Sequence, residues 1–240
     1  MEKNNKNCAE LLIGTPFFYE KSYCLSEFLN SVDKSSYKDF LHLIVDNSPE
    51  TKEISIPSSK QRKIIRLFQK NGHFNSRLAI YLSYSLIWQY FKAYPFKYLL
   101  FLEADVIIED WHIAKIVNYC RKIEDKAVIS ALIYRPIGNY YAIYKDQKFK
   151  YEDGVIKAIR EPYNNEEIKK QILWIKAGVF GMLLIPKEVI EDLEISWNDK
   201  YFNHPDVLFF EKCNKKDIPV YVITSIRPKH LQRPWKEISW

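Results

Sequence analysis

Apolar positions along the chain fall into short continuous runs that alternate with stretches of helical spacing. Residues 11–16 read as a first buried strand ending in a turn. Over 22–36, Leu25, Phe28, Leu29 and Val32 recur as one helical face. Residues 40–45 and 63–68 read as two further strands, stopped by Asp46, Asn47, Ser48 and Pro49 and by Asn71 and Gly72. The longest helical pattern runs over 76–92, with Leu78, Tyr81, Tyr84, Trp88 and Phe91 on one face. Residues 98–102 are uninterrupted and apolar, which predicts a central strand buried on both sides. Asp110 then reads as the N-cap of a helix carrying Ile113, Ile116, Val117 and Cys120.

Beyond about residue 127 the pattern changes. Residues 127–133 predict a strand. Residues 149–159, with Asp153 and Gly154 at the centre, predict a hairpin with a tight turn. The 174–185 stretch is apolar and holds Gly178 and Gly181. Pro186 can start a short helix, Asp206 opens another to about Lys215, and 220–224 is a last strand. Repeated strand–helix order predicts an α/β fold with a mainly parallel sheet, whose ligands lie outside the carboxyl ends of the strands. No linker or repeat interrupts it. The expectation is one domain, with a nucleotide-binding half at about 9–126 and an acceptor-binding half plus C-terminal lid at about 127–240.

Composition narrows the function classes. Six glycines and 15% aromatic residues among 240 exclude low-complexity and disordered chains and support a full core. The net charge of +6 is spread over scattered lysines. It suits an anionic small molecule or an anionic membrane surface, and without a dense basic stripe no nucleic-acid partner is expected. Cys8, Cys24, Cys120 and Cys213 form no CxxC pair, so neither a zinc site nor a disulfide framework is expected. No apolar run reaches the roughly 18 residues of a membrane span. The expected compartment is the cytoplasm, with a peripheral membrane contact as an option.

The chemistry concentrates where the central strand ends. Glu103 and Asp105 are two residues apart, and strand alternation would point both side chains into the same cleft. Two close carboxylates repel unless a cation sits beside them, and Mg²⁺ or Mn²⁺ prefers such oxygen ligands. A polar turn after a strand is the bland alternative.

An apolar strand, then acid-x-acid, then Val106, Ile107 and Ile108 resembles the DxD motif of the GT-A glycosyltransferases, of the family 2 type. The remaining segments follow that family's order over about residues 11–235. The strand ending in Thr15 and Pro16 resembles the start of its nucleotide half. The strand ending in Val45, Asp46, Asn47 and Ser48 looks like the family's acidic contact to the base. Residues 71–78, with Arg77, are similar to the segment that approaches the diphosphate. Gly178 and Gly181 resemble its glycine-bearing loop. His204, Pro205 and Asp206 look like the element whose last acid serves as catalytic base, and His230 stands where many members have a C-terminal metal-binding histidine. Glu103 departs from the usual first Asp, and His204 with Pro205 departs from the usual residues before the final acid.

The resemblance implies a Rossmann-like GT-A fold and transfer of a sugar from a nucleoside-diphosphate-sugar donor to a hydroxyl on a glycan, lipid-linked or protein acceptor. Asp105, Glu103 and His230 would hold Mn²⁺ or Mg²⁺. Asp206 would be the general base of an inverting reaction, with a plain N-cap as its alternative. Thr15, Pro16, Asp46, Arg77, Glu103, Gly178 and Gly181 would contact the donor. An Asx turn is the alternative for Asp46, an exposed helix start for Arg77, and relief of packing for the two glycines. Tyr134, Tyr140, Tyr141, Tyr144 and Tyr151 could offer faces to a sugar or simply fill the core. The basic, aromatic 227–235 stretch could close as a lid or lie on a membrane. His42 and His112 need only packing and surface roles. A nucleotidyltransferase acting on sugar phosphates is the first competing class. It usually carries a glycine-rich phosphate loop after the first strand, where this chain has only Gly14. A non-catalytic nucleotide- or sugar-binding module is the second.

Overall fold

The computed structural model describes residues 9–52, 54–67, 76–152, 155–191, 193–195 and 205–231, with the side chains of 76, 77, 152, 155 and 156 left out. An eight-stranded sheet runs through it. Its strands are β1 (Leu11–Phe17), β2 (Phe40–Asp46), β3 (Arg62–Arg66), β4 (Tyr98–Leu102), β6 (Val128–Ala131), β11 (Ile172–Trp174), β12 (Met182–Pro186) and β13 (Val220–Ile223). Their order is β11-β13-β6-β12-β4-β1-β2-β3. All run one way except β12 and β11, which are antiparallel to their neighbours.

Strand β4 shows why the sheet is buried on both faces. Tyr98, Leu100 and Leu102 join one apolar cluster, with Phe28 and Val32 of α1 (Ser22–Asp33) and Ile113, Ile116 and Val117 of α3 (His112–Lys122). Leu99 and Phe101 join the other, with Tyr84, Ile87, Trp88 and Phe91 of α2 (Ser76–Ala93) and Phe209 and Phe210 of α4 (Pro205–Lys215). Strand alternation therefore feeds two helical layers at once, the doubly wound arrangement the sequence predicts.

Among the described residues, three two-stranded ribbons lie outside the large sheet. β5 (Val106–Ile107) pairs antiparallel with β14 (Lys229–His230), and β7 (Tyr134–Arg135) with β8 (Tyr140–Tyr141). β9 (Tyr144–Glu152) and β10 (Val155–Pro162) form the expected hairpin, longer at both ends than the apolar pattern suggested. Its predicted turn residues, Asp153 and Gly154, lie outside the described residues, as do Asn71 and Gly72.

Several local expectations change. The α2 stripe is Tyr84, Ile87, Trp88 and Phe91, whereas Leu78 at its start is 36% exposed. The buried face also takes in Ala79 and Ser83, and Leu78 lies off it. Asp110 does not cap α3, which begins at His112. The amide of Glu109 donates instead to Nδ1 of His112 at 3.0 Å, and the Asp110 carbonyl accepts from the Ser36 amide at 2.8 Å. α4 opens on Pro205, one residue before Asp206, where a missing N–H costs nothing. Cys24, Cys120 and Cys213 are buried free thiols.

Candidate active site at the end of the central strand

The sheet delivers Glu103 and Asp105 to the carboxyl end of β4, between β1 and β12. The predicted route was strand alternation, but the strand stops at Leu102. Glu103, Ala104 and Asp105 form a turn, closed by the Val106 amide donating to the Glu103 carbonyl at 3.0 Å. The turn, not the pleat, brings the two carboxylates together.

His230 reaches them from far along the chain. β14 pairs with β5 so that His230 stands opposite Val106, and the Leu231 amide donates to the Asp105 carbonyl at 2.8 Å. Tyr23 of α1 fixes the same segment by donating to the Leu231 carbonyl at 2.5 Å. The imidazole Nε2 lies 3.4 Å from Asp105 Oδ2, and the His230 side chain is only 5% exposed. One donor atom each from Glu103, Asp105 and His230 falls within 4.8 Å of the others.

The charges in this cluster do not balance among the three. Lys21, in the single helical turn before α1, places its ammonium on Asp105 Oδ2. Burial alone would raise the Asp105 carboxyl. The His230 contact and the Lys21 charge overcome it and hold Asp105 well below the usual carboxylate range. Glu103 is raised, first by burial and then by the Asp105 charge. Its Oε1 accepts from the Tyr84 hydroxyl at 3.2 Å. Burial, with Glu103 and Asp206 nearby, pushes the Tyr84 phenol up, so it stays a donor.

These residues fit a divalent cation. Asp105 Oδ1 and His230 Nδ1 are buried without a hydrogen-bond partner. The Lys21 ammonium already sits on Oδ2 of Asp105, so positive charge is favoured at this cluster. Two carboxylates and one imidazole suit Mn²⁺ or Mg²⁺ better than a soft metal.

Asp206 sits in the first turn of α4, where its Oδ1 accepts from the Val207 amide at 2.8 Å. Arg135 of β7 lies within reach of the charges of both Glu103 and Asp206, and so does Tyr84. These two side chains link the acid cluster to α4. Neither Lys21, Tyr84 nor Arg135 was singled out for the site from sequence. A lysine after the first strand, an aromatic on a helical stripe and an arginine in a two-residue strand carry no distinguishing pattern.

The other predicted contacts sit farther from the cluster. Thr15 is fully buried, and its hydroxyl donates to the Leu102 carbonyl at 2.8 Å. His42 Nε2 lies 3.0 Å from the Thr15 hydroxyl oxygen, whose own proton is committed to Leu102, so the ring N–H donates to Thr15. Pro16 stands beside Val45 in the β1–β2 register. Asp46 ends β2 and accepts from the Ser48 amide at 3.0 Å, an Asx turn, with Arg66 Nε 4.0 Å away. Side chains close over both glycines. A Cβ at Gly178 would meet Ile175 and Phe210 at 3.2 Å, and one at Gly181 would meet Ile133 at 3.1 Å. Gly181 also accepts the Glu103 amide at 3.1 Å. Arg77 lies in the first turn of α2, and its side chain is outside the described residues. So are His204, Gln232, Arg233 and Trp235. Of the predicted tyrosines, Tyr144 is buried and Tyr151 is 70% exposed.

No protein-family profile matches the chain, and no curated protein matches it in sequence. Its fold does match solved structures. GalNAc-T7 with UDP, GalNAc and Mn²⁺ superposes with a TM-score of 0.62 at 15% identity, covering 95% of this chain and 45% of that one. S. aureus TarS 1-349 in complex with UDP-GlcNAc gives 0.57 at 12% identity, covering 96% and 62%. A197 from STIV gives 0.51 at 14% identity, covering 93% and 86%. The first two are glycosyltransferases of GT-A architecture. This chain has the GT-A fold. It spans about half of GalNAc-T7 and under two thirds of the TarS fragment. In open α/β sheets generally, ligands bind outside the carboxyl ends of the strands, and Glu103 and Asp105 stand at such an end. No helix among the described residues is long and apolar enough to cross a membrane.

Proposed function

We propose that this chain is a metal-dependent glycosyltransferase that moves a sugar from a nucleoside-diphosphate donor to a hydroxyl acceptor. The observation that carries the reading is the convergence of Glu103, Asp105 and His230 at the end of β4 in a GT-A sheet. The UDP, UDP-GlcNAc and Mn²⁺ of the structural neighbours favour a nucleotide sugar as donor. Asp105, Glu103 and His230 would hold Mn²⁺ or Mg²⁺, which when bound supplies positive charge to the leaving diphosphate.

The chain's own groups supply the rest. Asp46, at the end of β2, would accept hydrogen bonds from a base; its Oδ1 serves the Asx turn and its Oδ2 faces Arg66 at 4.0 Å. Thr15 and Pro16 form the adjoining strand end, Gly178 and Gly181 shape the β12 side, and Arg77 would approach the diphosphate. Asp206 acts as general base. The acceptor oxygen bonds to the anomeric carbon as that carbon's bond to the diphosphate oxygen breaks. The hydroxyl proton passes to the Asp206 carboxylate, and the nucleoside diphosphate leaves with the bonding electrons. Attack opposite the leaving group inverts the anomeric centre. We assign residues 9–126 to donor binding and 127–240 to acceptor binding within one domain.

The test is a thermal-shift panel of nucleoside diphosphates and nucleotide sugars, with and without Mn²⁺. Protection by one nucleoside diphosphate, dependent on Mn²⁺ and lost in Asp105→Ala, is the expected result. Absence of any response across the panel overturns the proposal.

A further inference from the structure

The half of the chain after residue 127 contains two partly buried arginines, Arg135 and Arg160, that form no direct ion pair with a carboxylate among the described residues. Arg135 of β7 stands opposite Tyr140 of β8 and donates from Nη1 to the Tyr140 hydroxyl at 3.2 Å. Arg160 of β10 lies over the Tyr144 ring, 4.9 Å from its centroid, and donates from Nε to Gln147 Oε1 at 3.0 Å. The Tyr140 and Tyr144 hydroxyls interact with each other, so the two guanidinium groups are joined through two phenols. Among the described residues, neither arginine has a carboxylate within ion-pair distance. Nη2 of Arg160 is buried and has no acceptor.

That is an unusual way to leave a guanidinium. Its five N–H donors and permanent charge are costly to bury without acceptors. The chain's many exposed acids instead pair with lysines, as Glu161 and Glu167 do with Lys145 on the same hairpin. The Tyr140 phenol responds to the positive charge beside it. Burial would raise Tyr140, yet the hydrogen bond and charge of Arg135, with Tyr144 and Arg160 behind, bring it below its ordinary value.

The location ties this cluster to the reacting centre. Gln147 accepts from Arg160 and donates from Nε2 to the Val207 carbonyl at 3.2 Å, in the first turn of α4. Asp206 is the neighbouring residue. From the other side, Arg135 lies within reach of the Asp206 charge. We propose that Arg135 and Arg160 form an oxyanion subsite beside Asp206, so that the acceptor hydroxyl belongs to a phosphate- or carboxylate-bearing molecule. A planar guanidinium can present two parallel N–H bonds to either group. The Tyr144 face holds one fork and the Tyr140 hydroxyl aligns the other. Anchoring the anion there sets the distance from it to the hydroxyl that Asp206 deprotonates. The inference rests on the transferase reading in calling the bound molecule an acceptor and Asp206 its base.

The test uses small probes on the full chain. Glycerol 3-phosphate and glycerate carry a hydroxyl beside a phosphate or a carboxylate, and glycerol carries none. Calorimetry or ligand-observed NMR should detect one of the two anions and not glycerol, and which anion binds separates the phosphate source from the carboxylate source. Binding should weaken about tenfold or more in Arg160→Gln and in Arg135→Gln, as expected for loss of a charged fork. Arg160→Lys should retain part of it. Nucleoside-diphosphate protection should be unchanged in Arg160→Gln, so failure of the donor reading and failure of this one are told apart. If Arg160→Gln does not fold, Arg160→Lys and Arg135→Gln decide the matter. Equal binding by wild type and arginine variants, or no preference for either anion over glycerol, overturns the subsite.

Discussion

The Lys21 ammonium rests on Oδ2 of Asp105, the carboxylate that also faces His230 at 3.4 Å. Eighty-four residues separate the two partners in sequence. Lys21 therefore occupies the place where a divalent ion bound to Asp105 would bring its charge. Burial works against the Lys21 charge, but Asp105 and Glu103 outweigh it and keep the ammonium protonated. A divalent ion and the ammonium would compete for one carboxylate.

From that competition, Lys21→Met should bind Mn²⁺ about tenfold or more tightly than wild type, because a unit charge within a few ångströms is removed from the site. Titration of free Mn²⁺ by electron paramagnetic resonance reads this directly, without any turnover. Unchanged affinity would mean that Lys21 withdraws at no cost and does not compete.

For Asp206, substitution by Asn should leave nucleoside-diphosphate protection intact and reduce transfer by about 10²-fold or more, the scale of a lost general base. Transfer at a near wild-type rate would reduce Asp206 to a helix-start residue. The Val207 amide can still be accepted by the Asn oxygen, so folding should survive.

His42 is buried beside Arg62, and these push its imidazole down to about 3. Its ring N–H donates to Thr15, so the neutral form is the one the fold holds. Below the unfolded value of about 6.5 the unfolded chain binds the proton first, so stability rises with pH across that window. The contribution is complete above about 6.5 and falls by up to about 1.4 kcal/mol per pH unit as the pH drops towards the folded value. Urea unfolding between pH 7 and 4 should show a steeper loss in wild type than in His42→Gln. Parallel slopes would mean that His42 is not titrating between the two states.

Gly14 is pressed against α2. A Cβ there would lie 2.3 Å from Cγ2 of Ile87, which is itself fully buried. Gly14→Ala should cost about 1–3 kcal/mol, the usual range for overpacking. Ile87→Val keeps both γ carbons and so leaves the clash, whereas Gly14→Ala combined with Ile87→Ala removes it. Equal stability of Gly14→Ala and wild type in chemical denaturation would mean that α2 can move away freely.

What was legible in the sequence was legible for a local reason. The β4 run of five apolar residues forces a central strand, because only a strand covered on both faces buries every position. An acid-x-acid pair directly after it must then emerge at the ligand side of the sheet. The stripes of α1 and α3 follow from period alone, and so does the hairpin of β9 and β10.

Other features had no local signal. β5 and β14 are two residues each, too short for any period, yet their pairing carries His230 to Asp105. Lys21, Tyr84 and Arg135 arrive from a helical turn, a helix and a short strand, and nothing in their own neighbourhoods distinguishes them. The closeness of Glu103 and Asp105 was foreseen for the wrong reason, since a turn rather than a pleat joins them. The sequence by itself determined which segments are strands and helices and that two acids end the central strand. Only the tertiary structure decided which distant cations and imidazole meet those acids. Burial periodicity is written in neighbouring residues, whereas the partners of a buried charge are set by how whole elements pack.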